Sequence, residues 1–94
     1  MATFILLSTL TDEGAKTITT NPERIKQVNS EVERLGVKVQ AQYAVLGAYD
    51  FVTIVEAPDI ASIAKVSATL ASRGSIKIQT LAALPIDELI DGLK

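Results

Sequence analysis

The sequence predicts an α+β fold in which helices cover one face of a four-stranded antiparallel sheet. Three observations lead there. Four β-like runs and two amphipathic stretches follow one another in the order β-α-β-β-α-β. The first and third runs are apolar on both sides, whereas the second and fourth alternate. A tight Gly47-Ala48 turn joins the second run to the third.

Residues Thr3 to Leu10 (TFILLSTL) lack alternation, as expected of a strand buried on both faces. The polar, threonine-rich stretch Thr11 to Thr20 reads as a loop with one helical turn starting at Thr11. Asn21-Pro22 opens a helix, because Asn is a good N-cap and Pro at the first helical position gives up no hydrogen bond. Ile25, Val28, Val32 and Leu35 recur at helical spacing, and Gly36 stands where a left-handed C-terminal residue is expected.

Val37 to Tyr43 alternates strictly, the mark of a strand with two different faces. Phe51 to Glu56 (FVTIVE) is the second doubly apolar strand, and Ala57-Pro58-Asp59 ends it, with Asp59 capping a second helix. Ile60, Ile63, Ala64, Leu70 and Ala71 form that helix's expected inner face, and Gly74 closes it. Ser75 to Ala83 alternates again. After Pro85, Ile86, Leu89, Ile90 and Leu93 share one side of a short terminal helix. The order is that of the ferredoxin-like arrangement, with spatial strand order 4-1-3-2. It places the doubly apolar strands centrally and the alternating ones at the edges.

Composition narrows the function. The chain of 94 residues makes one domain spanning residues 1–94, and its mean hydropathy of +0.31 comes from aliphatic rather than aromatic residues. So much aliphatic surface on so small a chain predicts self-association. There is no Cys, His or Trp. Thiolate chemistry is therefore excluded, and the commonest acid–base and metal-ligating side chain is missing. No catalytic motif, metal site or cofactor is expected. The net charge of −2, with cations and acids interspersed, lacks the basic stripe of a nucleic-acid binder. No apolar run approaches the roughly 20 residues of a membrane span, and the N-terminus lacks a signal-peptide pattern. The expected location is the cytoplasm.

Both helices of this fold lie on one face of the sheet, so the apolar character of both central strands implies a second cover. Pairing about Gly47-Ala48 puts Val39, Ala41, Tyr43 and Val45 with Val52 and Ile54, expected under the helices. The other face then carries Leu46, Phe51 and Val55, ringed by Lys38, Gln40, Gln42 and Thr53. An apolar centre with a polar rim is the anatomy of an interface, so a homodimer or higher oligomer is predicted through those three residues.

Gly47-Ala48-Tyr49-Asp50, running into Phe51-Val52-Thr53-Ile54-Val55-Glu56-Ala57-Pro58-Asp59, resembles the GYD domain family of small bacterial and archaeal proteins. Leu10-Thr11-x-x-Gly14 and Asn21-Pro22-Glu23-Arg24 also match that family's pattern, and the resemblance spans nearly the whole chain. Ala15 and Val37 stand where the family often has Ile and Gly. The resemblance implies a dimeric α/β barrel of the ferredoxin-like type and no particular activity. A looser likeness extends to the ligand-sensing domain of leucine-responsive regulators, and cofactor-free monooxygenases and some isomerases share the barrel.

The candidate ligand-binding residues are Tyr43, Tyr49, Asp50 and Arg24, each with a plain structural alternative. Gly47 serves the turn with positive φ. Asp50 either accepts backbone N–H groups across that turn or meets a ligand or a second subunit. Tyr49 is not required by turn geometry, and Tyr43 matters only if a cavity lies between helices and sheet. Arg24 is misplaced electrostatically in the first turn of a helix, which hints at pairing with Asp50, Glu56 or an anionic ligand. Three functions remain open: a small-molecule binding or sensing module working as an oligomer, a small cofactor-free enzyme, or an assembly protein without a ligand.

Overall fold

In the computed structural model of residues 1–94, the chain runs β1 (Ala2–Leu10), α1 (Asp12–Thr20), α2 (Arg24–Arg34), β2 (Lys38–Ala44), β3 (Phe51–Ala57), α3 (Ile60–Ala71), β4 (Ile76–Ala83) and α4 (Ile86–Leu93). The strands form one antiparallel sheet in the order β2-β3-β1-β4, the ferredoxin-like order that the sequence predicts.

The central strands bury alternate residues. Phe4, Leu6 and Ser8 of β1 and Thr53, Val55 and Ala57 of β3 are buried, while Ile5, Leu7, Val52 and Ile54 between them are half-buried. The buried set meets Val32 of α2 and Ile63, Val66 and Leu70 of α3 to make the core. Both faces of these strands are therefore apolar, but only one is covered by this chain's own helices.

This corrects the sequence expectation of the faces. Phe51 and Val55, expected on the free face, lie on the helix side, and Val55 is completely buried. Tyr43, Ala41, Val52 and Ile54 do share a face, paired Tyr43 with Val52 and Ala41 with Ile54, but it is the open one. Val39 parts from them because the register shifts between Val39 and Ala41, leaving Gln40 as a bulge. Leu46 lies on neither face, standing fully exposed at the tip of the β2–β3 loop. The physical reason is simple: alternation cannot say which side is covered when both sides are apolar.

Two helices also differ from expectation. Asp12–Thr20 is a full helix rather than a loop. Thr11 caps it by accepting the Gly14 N–H at 3.2 Å, Asp12 and Glu13 complement the dipole in its first turn, and threonine hydroxyls bond back to preceding carbonyls. The helix is pinned at its start: the Thr11 N–H donates to the Ser75 carbonyl at 3.0 Å and the Thr11 hydroxyl to the Gly74 carbonyl at 2.8 Å. A Cβ on Gly14 would fall 2.0 Å from the Ser75 oxygen, so only glycine allows this approach.

Helix α2 begins at Arg24, after a turn in which the Arg24 N–H donates to the Asn21 carbonyl, so the Asn21 side chain does not cap it. The α3 stripe is Ile63, Val66 and Leu70; Ile60, Ala64 and Ala71, expected inside, are exposed, and Val66 is buried in their place. Asp59 caps α3 as expected, accepting the Ser62 N–H at 2.8 Å. Helix α4 has no buried residue, and its apolar side is uncovered. No helix is long and apolar enough to cross a membrane.

Candidate functional site

Between the helices and the sheet lies a cavity of about 280 Å³. It exists because α1 and α2 span the sheet end formed by Leu6, Ser8, Phe51 and Ile78 without filling the space beneath them. Its walls are mostly hydrocarbon, from Ile25 and Val28 on α2 to Phe51 on β3 and Ile76 and Ile78 on β4.

A polar line crosses this apolar space. The Asn29 amide on α2 donates to the Gln42 side-chain oxygen at 2.6 Å, and the Gln42 amide donates to the Thr53 hydroxyl at 3.1 Å. The Gln40 bulge makes this possible, because it returns Gln42 to the helix side opposite Thr53. Ser8 lies next along the same face; the residue is buried, but its hydroxyl, which makes no hydrogen bond within the chain, keeps accessible surface at the cavity. A polar side chain in an apolar sheet face is disfavoured unless it is satisfied; Gln42 and Thr53 satisfy each other, and the Ser8 hydroxyl opens onto the cavity.

Charges also border the cavity. Arg73, after α3, makes a direct ion pair with Glu31 of α2. Hydrogen bonding to Arg73 is the main cause that holds the Glu31 carboxyl below its ordinary value, with burial opposing and the fields of Arg73, Arg24 and Arg34 assisting. The same bond raises Arg73. Arg24 contacts no acid, and its guanidinium donates only to Gln27 at 3.3 Å. It therefore pairs with neither Asp50 nor Glu56.

The structure separates the four candidate ligand residues. Arg24 lines the cavity, and Tyr43, Tyr49 and Asp50 do not. Tyr43 stands 60% exposed on the open face, and the Tyr49 hydroxyl donates to the Gln79 side chain at 2.6 Å across that face. Asp50 is built into the sheet end: its N–H donates to the Ser8 carbonyl at 2.8 Å, and its carboxylate accepts the Leu10 N–H at 2.7 Å. Gly47 has φ of 143°, within the loop closed by the Val45 N–H to Asp50 carbonyl bond. Sequence reasoning does not single out Ser8, Asn29, Gln42 or Thr53 as site residues. Ser8 and Thr53 interrupt the two doubly apolar strands, which is the available signal.

Residues 4–92 match the GYD domain family. The chain belongs to that family. A relative from Thermus thermophilus, the "glutamine synthetase and cystathionine beta-lyase binding protein", is 62% identical over 95 residues, covering 100% of both chains. Among solved structures, TTHA0845 from Thermus thermophilus superposes with a TM-score of 0.60 at 22% identity, over 90% of this chain and 95% of that one. FFRP-DM1 gives 0.63 at 19% identity, over 89% of this GYD chain and 100% of the other. At such identities these two likenesses establish the fold.

Proposed function

We propose that this GYD protein is a binding adaptor for metabolic enzymes, working as a dimer, with a glutamine synthetase and a cystathionine β-lyase as its partners. The observation that carries the reading is the 62% identity, over the full length of both chains, to a protein bearing that binding function in its name. Of the functions left open by the sequence, this favours the assembly class. Its binding element is a macromolecular surface rather than a reaction centre.

Two surfaces support it. Ile86, Leu89, Ile90 and Leu93 form an uncovered apolar side on α4, and contiguous exposed apolar surface marks contact sites. Ile5, Leu7, Val52 and Ile54 form a second apolar area on the open sheet face, rimmed by Lys38, Glu56, Lys77 and Gln79. We assign the sheet face to a second copy and the α4 side to the enzyme. Purified glutamine synthetase and cystathionine β-lyase from the same organism, titrated over the immobilised chain, are expected to bind saturably, and Ile90→Asp is expected to weaken that binding. Absence of saturable binding to both enzymes would refute the adaptor.

A further inference from the structure

We propose that the helix–sheet cavity binds a small aliphatic carboxylate carrying a second oxygen, such as a short oxo- or hydroxy-acid. The carboxylate sits on Arg24, the carbon chain lies against Ile25, Val28 and Phe51, and the second oxygen takes the hydroxyls of Ser8 and Thr53. This site is independent of the enzyme-docking reading, and its test uses the chain alone.

Size is the first support. At about 280 Å³ the cavity stands near the lower end of small-molecule sites, which run from roughly 300 Å³ upward. Such a site has mostly apolar walls and a few convergent polar groups. A genuinely empty packing defect is apolar. Here Ser8 is a buried residue whose hydroxyl, unpaired within the chain, keeps accessible surface and lines the cavity. Thr53, also buried, accepts from Gln42, so its own O–H is left free to donate. Two hydroxyl donors facing one space favour an acceptor oxygen between them.

The charge at the border selects the other end of the ligand. Glu13 also borders the cavity, and its negative charge is stabilised by the helix dipole in the first turn of α1. Arg73 is occupied by Glu31. Of the cations bordering the cavity, Arg24 is the one that makes no ion pair, and it stands in the first turn of α2, where the helix dipole disfavours it. A carboxylate supplies what that position lacks, through charge-assisted, two-pronged hydrogen bonds.

The probes are 5-oxohexanoate, hexanoate and 2-hexanone, titrated calorimetrically, with ¹⁵N chemical shifts to locate them. We expect 5-oxohexanoate to bind saturably and to shift resonances of Ser8, Arg24, Gln42 and Thr53. Removing the carboxylate, as in 2-hexanone, should weaken binding about tenfold or more. Arg24→Gln should bring 5-oxohexanoate down to the 2-hexanone level. Ser8→Ala, which removes one oxygen without changing the backbone, should bring it down to hexanoate. Lack of saturable binding by either carboxylate, shifts confined to other surfaces, or unchanged affinity in Arg24→Gln would overturn the proposal.

Discussion

Asp50 shows how a motif residue can be explained by backbone accounting. The β1–β3 ladder ends at Ser8 and Phe51, so the Leu10 N–H on that side has no strand carbonyl to meet. The Asp50 carboxylate takes it, and the Asp50 N–H satisfies Ser8, so one residue closes the sheet where β1 leaves for α1. An unmet, partly buried N–H costs about 1–3 kcal/mol. Asp50→Ala should therefore lower stability by about that much in urea denaturation, while Asp50→Asn, which keeps an acceptor oxygen, should cost less. Equal stability of wild type and Asp50→Ala would remove this structural role. Tyr49 has a different task, since its hydroxyl spans from the loop to Gln79 on edge strand β4.

Among the elements, those legible in the sequence have a single dominant signal. Helix α2 follows from Ile25, Val28, Val32 and Leu35, and the strands follow from their apolar runs and turns. Helix α1 escapes a sequence reading because its threonines suggest a loop, whereas their hydroxyls bond within the helix and its start is held by the distant Gly74 and Ser75. The cavity is illegible for a similar reason. It depends on the Gln40 bulge and on how α1 and α2 sit, neither of which leaves a periodic trace. Of its lining, Arg24 alone stands out as a candidate in the sequence, through its misfit with the helix dipole.

The α2–α3 connection carries a pH prediction. Glu31 has its carboxyl pKa lowered, chiefly by the Arg73 hydrogen bond, so its folded value lies below its unfolded one. The stabilisation is then fully present above the ordinary value of 4.5 and is lost as pH falls through the lower folded value. Denaturation midpoints of wild type and Glu31→Gln should differ at neutral pH and converge in acid. Salt should narrow the gap too, because the pair is partly exposed. A difference that persists unchanged into acid would show that the pair's charge contributes nothing.

At the scale of the whole molecule, the open sheet face sets the strongest constraint. Ile5, Leu7, Val52 and Ile54 belong to the two central strands, where no neighbouring helix of this chain reaches them. The proposed dimer places a second copy there. The rim has both signs, Lys38 paired across the sheet with Glu56 at one end and Lys77 at the other, which suits a surface that must complement itself. Wild type should sediment at twice the 10.0 kDa of one chain. Ile54→Lys, a charge at the centre of that face, should shift it to a single chain while the secondary structure persists. Tyr43→Lys, on the edge strand β2 and already exposed, should disturb the dimer less. A wild-type monomer whose open face became protected only on adding the enzyme would assign that face to the enzyme instead. A dimer unaffected by Ile54→Lys would move the contact elsewhere, with the α4 stripe the next surface to substitute.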